Sequence, residues 1–228
     1  CDYCFGEDYE LVFVDDGSTD GTREWLSQLT SQQVRVHINE KNLGRGGAVK
    51  KGIQISRGAI VGFMDIDCEM SEAYLARFAM SISRGADLAV GYRIYNVSMH
   101  PYVMLRHFLS LGYKALVATM LQVKVRDSEV GYKFFSRRFA DHVVAESRFD
   151  DWFWDSEVCL LAQANGLKTE EITGAFVRNP LKTSTVHVLR DSIRYLKALS
   201  EYRKLLTQGA YQKMRQSDVV AIGRTSVR

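Results

Sequence analysis

Proline is almost missing from this chain, with two residues in 228, which excludes proline-rich linkers between modules. Cysteine is sparse as well. Cys1 and Cys4 form a CxxC, but Cys68 and Cys159 stand alone, so no second pair completes a zinc site. Free thiols in a reducing compartment are the expectation. No run approaches the roughly 18 consecutive apolar residues of a membrane-spanning helix. The opening carries Asp2, Glu7 and Asp8 where a secretory leader has a basic and then an apolar region. Neither sign of charge dominates: the formal net charge of +3 is too small to argue for nucleic acid, and no nucleic-acid partner is expected. His37, His100, His107, His142 and His187 are scattered without metal-ligand spacing. Internal repeats and low-complexity tracts are absent too.

What remains is a globular composition, 46% hydrophobic and 25% charged, long enough for one sizeable core. The chain is organised around Ala59-Ile60-Val61-Gly62-Phe63-Met64-Asp65-Ile66-Asp67-Cys68-Glu69. The apolar run after Gly58 reads as a buried strand. Its acids then fall at the C-terminal end, the edge where ligands bind in open α/β sheets. Alternation along an extended segment would send Asp65, Asp67 and Glu69 to one side. Three such acids repel one another unless a cation sits among them, and their oxygens suit Mg²⁺ or Mn²⁺ with substrate phosphates completing the shell. A solvated acidic turn leading into a helix near Ser71 is the plainer alternative.

The flanking segments alternate between strand and helix. Tyr9–Val14 reads as a strand ending in Asp15-Asp16-Gly17-Ser18, with a helix from Thr22 to Leu29 and a strand over Val34–Ile38. Asn39–Gly47 is glycine-rich and opens a helix from about Ala48 to Arg57, an arrangement that brings backbone amides toward an anion. A helix from Glu72 and a strand from Asp87 into Tyr92-Arg93 follow. This alternation predicts an α/β fold with a largely parallel sheet. Beyond Pro101, residues 102–123 form a long helical pattern in which Arg106, Ser110 and Lys114 share a face. It reads either as a helix covering the sheet or as one lying in a membrane interface. Asp155 and Glu157 open a helix ending at Gly166, where they read as N-terminal capping acids or as a general base. His187–Leu206 is a basic amphipathic helix, and the polar stretch over 207–228 is expected to be poorly ordered.

The linked motifs VDDGSTDGT, NLGRGGAVKKGI, MDIDCEM, VGYR and VRDSEVGYKFF resemble the family 2 inverting glycosyltransferases of GT-A fold. The likeness is to the dolichyl-phosphate mannose synthase and polyprenyl-phosphate branch, and it covers roughly residues 10–199. The resemblance implies a Rossmann-like mixed sheet flanked by helices, forming a single domain over residues 1–206. It implies that Asp15, Asp16 and Gly44 serve the nucleotide-sugar donor and that Asp65 and Asp67 form the DxD. Glu69 stands where that branch usually has glutamine as a further metal ligand. Arg93, Arg106, Ser110 and Arg178 match residues that meet the acceptor phosphate. The family's Ser-Lys loop ending reads Ser184-Thr185 here, which leaves Lys182 as the candidate replacement cation. Members also begin with a strand and helix ahead of the DDGS strand, roughly 25 to 30 residues, where this chain has only Cys1–Tyr9. The first strand is therefore expected to be missing.

The implied activity is metal-assisted transfer of a hexose, mannose or glucose, from a GDP- or UDP-sugar to a polyprenyl or dolichyl phosphate. A Mg²⁺ or Mn²⁺ on Asp65, Asp67 and Glu69 would stabilise the leaving diphosphate. Asp67, Arg93, Arg106 and Arg178 are the catalytic candidates, the arginines because two anions must be brought together. Such an enzyme would sit on the cytoplasmic face of a membrane without crossing it. Two other readings stay open: transfer to a sugar hydroxyl, with Asp155 or Glu157 as base, and a nonenzymatic scaffold of the same fold.

Overall fold

The computed structural model describes residues 5–29, 31–95, 123–176 and 188–214. In chain order the elements are β1 (Leu11–Asp15), α1 (Thr22–Ser27), β2 (Val34–Ile38), α2 (Arg45–Ile55) and β3 (Ile60–Met64). A single 3-10 turn (Glu72–Tyr74) leads into α3 (Leu75–Ser83) and β4 (Leu88–Tyr95). Then come β5 (Tyr132–Ser136), α4 (Arg137–Glu146), α5 (Trp154–Ala164), β6 (Thr169–Phe176) and α6 (Val188–Thr207). The helical pattern over 102–123 lies outside the described residues except for Val123, as do Arg106, Ser110, Arg178 and Lys182.

The sheet is mixed, not largely parallel. β4 runs parallel to β6, but β5 lies between β3 and β4 and is antiparallel to both. The register gives the reason. Tyr132, the first residue of β5, faces Met64, the last of β3. The loop before β5 therefore enters at the edge where β3 leaves, and the strand can only run back. One sheet edge thus gathers the end of β3, the end of β4 and the start of β5. β5 is buried at all five positions, as a central strand covered on both faces should be.

β1 and β2 form a separate parallel pair. Among the described residues β1 pairs only with β2, and β3 only with β5, so the sheet is interrupted between β1 and β3. The interruption falls where the resemblance places a further strand. α2 bridges it, packing on β1 and against α4 and α5. Helix α4, which pattern reading passed over, has an apolar stripe of Phe139, Ala140 and Val143 at helical spacing. The core is rich in aromatics. Phe63 stacks on Phe135 with centroids 6.1 Å apart, and Phe135 meets Phe139 at 5.9 Å. Burying each such ring contributes about 1.5–3 kcal/mol.

The stretch after α6 is tied down as far as Met214. Tyr211 Oη donates to Glu157 Oε1 at 2.8 Å, and Arg148 Nη2 donates to the Ala210 carbonyl at 3.2 Å. The Gln212 amide donates to Glu146 Oε2 at 2.7 Å and the Met214 amide to Asn165 Oδ1 at 2.8 Å. Asn165 also reaches the His142 ring nitrogen Nε2, 3.3 Å from its Nδ2. That contact needs the imidazole neutral, so that Nε2 accepts. Burial holds the His142 pKa below its ordinary 6.5, with Glu146 acting weakly in the opposite direction. An unfolded chain takes up this proton first. The associated stability is therefore complete above about pH 6.5 and is lost as pH falls through the folded value. Thermal unfolding between pH 7.5 and 5.5 should show a larger loss of Tm for the parent than for His142→Gln; parallel losses would remove His142 from the account.

Candidate active site

The site is assembled on the shared sheet edge from the bottom up. β1 ends in Asp15, whose buried carboxylate accepts from the Ser18 amide at 3.3 Å and lies 3.6 Å from Arg23 Nε. Asp16 turns toward the glycine-rich loop. Its Oδ1 accepts from Asn39 Nδ2 at 2.9 Å and from the Leu43 amide at 2.8 Å; its Oδ2 accepts from the Gly44 amide at 2.9 Å. The same residue's carbonyl accepts from Asn42 Nδ2 at 3.0 Å. One acid thus fixes the loop that opens α2. Gly44 is required there: its φ is +85°, and a Cβ would stand 2.5 Å from the Asp150 carbonyl oxygen.

The DxD segment departs from the expected geometry. β3 ends at Met64, and the Cys68 amide donates back to the Asp65 carbonyl at 3.1 Å, closing a turn with Cys68 at φ +49°. Strand alternation stops before the acids begin, so it does not place Asp65, Asp67 and Glu69 on one side. Among the described residues no three His, Cys, Asp or Glu side chains gather as a metal-ligand cluster. Asp67 is exposed on the turn and accepts from the Glu69 amide at 3.3 Å. Asp65 faces inward over Gly131, where a Cβ would fall 1.8 Å from its Oδ2. Burial pushes the Asp65 pKa up while Arg45 pulls it back.

The inward orientation has a clear electrostatic cause. Arg45 stands in the first turn of α2, where the helix dipole disfavours a cation, and two acids hold it there. Its Nη1 donates to Asp65 Oδ1 at 2.5 Å and its Nε to Asp155 Oδ2 at 2.7 Å. The other Asp155 oxygen accepts from Lys133 Nζ at 2.7 Å, and Lys133 also donates to the Val130 carbonyl at 2.6 Å. Lys133 and Asp155 are 0% and 1% exposed at their side chains, so each needs the other. The guanidinium of Arg45 meets two rings, 4.9 Å from the Trp152 centroid and 5.8 Å from that of Phe63. Its Nη2 is buried with no hydrogen-bond acceptor among the described residues.

Neither Asp155 nor Glu157 caps its helix. The N-cap of α5 is Phe153, without a side-chain bond. Asp155 serves Lys133 and Arg45. Glu157 accepts from the Arg148 and Phe149 amides at 2.7 and 3.1 Å, and burial pushes its pKa up. Capping, one of the two readings of these acids, fails because buried cations and buried amides compete for them more strongly. Arg93, at the end of β4, donates from Nε and Nη2 to the two oxygens of Asp127 at 2.7 and 2.8 Å. Sequence reasoning missed Arg45 and Lys133. A lone lysine inside the strand Tyr-Lys-Phe-Phe and an arginine at a helix start each demand a buried acid, and both signals were there to read.

Removing one member of a buried charge network costs about 3–5 kcal/mol, because its partner is left uncompensated. Lys133→Met should destabilise the fold by that amount in chemical denaturation. A loss under about 1 kcal/mol, the size of a surface ion pair, would contradict the network.

Comparison with known proteins identifies the family and the fold. The chain is 26% identical over 229 residues to the dolichyl-phosphate beta-glucosyltransferase of Saccharomyces cerevisiae, covering 91% of this chain and 68% of the relative. The Dictyostelium discoideum protein of the same description is 29% identical over 175 residues, with 72% of this chain and 54% of that one covered. Both relatives are described as glucosyltransferases of dolichyl phosphate, and glucose is one of the two hexoses that the motif resemblance implies. Among solved structures, the glucosyl-3-phosphoglycerate synthase of Mycobacterium tuberculosis, crystallised with Mn²⁺, UDP-glucose and phosphoglyceric acid, superposes with a TM-score of 0.61 at 17% identity. That superposition covers 84% of this chain and 68% of the other, and it shows a shared GT-A fold. The profile of glycosyl transferase family 2 matches residues 2–144, and the chain belongs to that family.

Proposed function

We propose that the protein transfers glucose from UDP-glucose to a dolichyl or related polyprenyl phosphate, with inversion at the sugar carbon. One observation carries the choice of acceptor. Asp155, the acid placed to serve as a general base, has one oxygen on Lys133 and the other on Arg45, and it is buried. A hydroxyl acceptor needs a base within reach; a phosphate monoester, whose second pKa is about 6, is already an anion. A phosphate oxygen attacks the anomeric carbon as the bond to the departing nucleoside diphosphate breaks on the opposite face, and no proton has to move. The names of the yeast and Dictyostelium relatives support the glucose and the phosphate acceptor.

The remaining roles follow from charge. The unsatisfied Nη2 of Arg45 points to an anion that completes its shell, and the donor diphosphate is the fitting one. The exposed carboxylate of Asp67, with Asp65 and Glu69 beside it on the same turn, fits a Mg²⁺ or Mn²⁺. Such ions take one or two carboxylates and complete their shell with substrate phosphates. The ion would neutralise charge on the leaving diphosphate. Arg93, Arg106, Ser110, Arg178 and Lys182 are assigned to the acceptor phosphate, and Asp15 and Asp16 to shaping the donor loop. Docking on a cytoplasmic membrane face is proposed through α6. It exposes Ile193 and Leu196 beside Arg194 and Lys197, and each cation near an anionic leaflet contributes about 1 kcal/mol.

Calorimetry, liposome sedimentation and acceptor kinetics test this reading. Asp67→Ala should abolish Mn²⁺-dependent UDP binding in calorimetry while leaving the melting temperature within a few degrees of the parent; equal binding would remove the acid from the metal site. Sedimentation with anionic liposomes should be strong at low salt and weak at high salt, and Arg106→Ala should impair acceptor use far more than donor affinity. Absence of liposome binding together with unchanged acceptor kinetics would sink the lipid-phosphate reading and favour a hydroxyl acceptor.

A further inference from the structure

Glu157 has no part in the chemistry proposed above, yet it is 0% exposed and bonded on every side. It accepts from the Arg148 and Phe149 amides and from Tyr211 Oη, so one carboxylate joins the stretch after α6 to the loop before α5. That loop reaches the donor side of the site by three contacts. The Asp150 carbonyl accepts from the Gly47 amide at 3.2 Å, inside the first turn of α2. Asp150 Oδ1 pairs with Lys50 at 2.5 Å. Trp152 lies over Arg45. Gly44 packs so tightly beneath Asp150 that a methyl group would not fit. A shift of this loop must therefore move the glycine-rich loop or open a gap against it.

We infer that Glu157 and Tyr211 are a positioning pair: through them the strap Gln208–Met214 sets the loop Arg148–Phe153, and with it the glycine-rich loop that meets the donor. The aromatic packing explains why the strap is rigid enough to do this. Tyr211 packs at a tilt on Tyr202, with centroids 5.5 Å apart, and Tyr202 meets Phe153 at 5.9 Å, so ring contacts run beside the hydrogen bonds. Burial presses the Glu157 carboxyl toward its neutral form, and the two amides and the phenol oppose that. Deleting the phenol hydroxyl alone removes one of the three donors and leaves the ring packing in place.

The donor-loop part of this inference rests on the proposed function; the coupling itself does not. The test is Tyr211→Phe in the full chain, read by hydrogen exchange without substrate and by calorimetry with UDP and Mn²⁺. Losing a hydrogen bond to a charged group should accelerate exchange at Arg148, Phe149 and Gly47 roughly tenfold, with the β4 and β5 amides unchanged. The Kd for UDP should rise several-fold. Unchanged exchange at those three amides, or equal acceleration at all amides, would overturn the inference. If the parent itself fails to bind UDP, the functional reading falls, and the exchange result still decides the coupling.

Discussion

The structure depends on one buried carboxylate held between two cations. Asp155 is buried with Lys133 on one oxygen and Arg45 on the other. Desolvating any one of these charges alone costs several kcal/mol, so the three must be buried together or not at all. This ties four separate segments to a single arrangement: β5 through Lys133, α5 through Asp155, the glycine-rich loop through Arg45, and the DxD turn through Asp65. The same arrangement explains why Asp65 faces inward while Asp67 faces solvent. It also occupies both oxygens of Asp155, which is the basis for proposing an acceptor that arrives ionised.

The fold arranges these segments by running β5 against its neighbours. Because Tyr132 faces Met64, the loop before β5 and the loop after β3 meet at one edge. Gly131 then lies beneath Asp65 with no room for a side chain. An all-parallel sheet would have carried the start of β5 to the opposite edge, and Lys133 would not reach Asp155. The antiparallel strand is thus part of the site.

Much of this was legible in the sequence, and what was missed has physical reasons. The apolar runs located β1 to β4, and the order of motifs identified the fold and the family. The DxD acids were placed at a strand end correctly, but alternation was carried too far: Cys68 at positive φ turns the chain where an extended strand was assumed. Asp155 and Glu157 looked like caps because sequence shows only near neighbours. Their real partners, Arg45 at 110 residues' separation and Tyr211 at 54, come from distant parts of the chain. Lys133 was overlooked for the opposite reason, since an apolar strand hides a single cation unless its partner is sought. Helix α4 was readable at Phe139, Ala140 and Val143 and was passed over in favour of the motifs on either side.

The central claim is that Asp155 is a counter-ion and takes no part in proton transfer. The most direct measurement is glucosyl transfer to a polyprenyl phosphate by the double variant Lys133→Met with Asp155→Asn. It removes the Lys133 and Asp155 charges together and leaves Arg45 paired with Asp65 and with an amide oxygen to bond, and such neutral replacements are often tolerated in stability. The account predicts a folded protein that still transfers, within about tenfold of the parent rate, a barrier change of roughly 1.4 kcal/mol. A double variant that folds and binds UDP with Mn²⁺ but has lost transfer by a thousandfold or more would contradict it and make Asp155 a chemical participant.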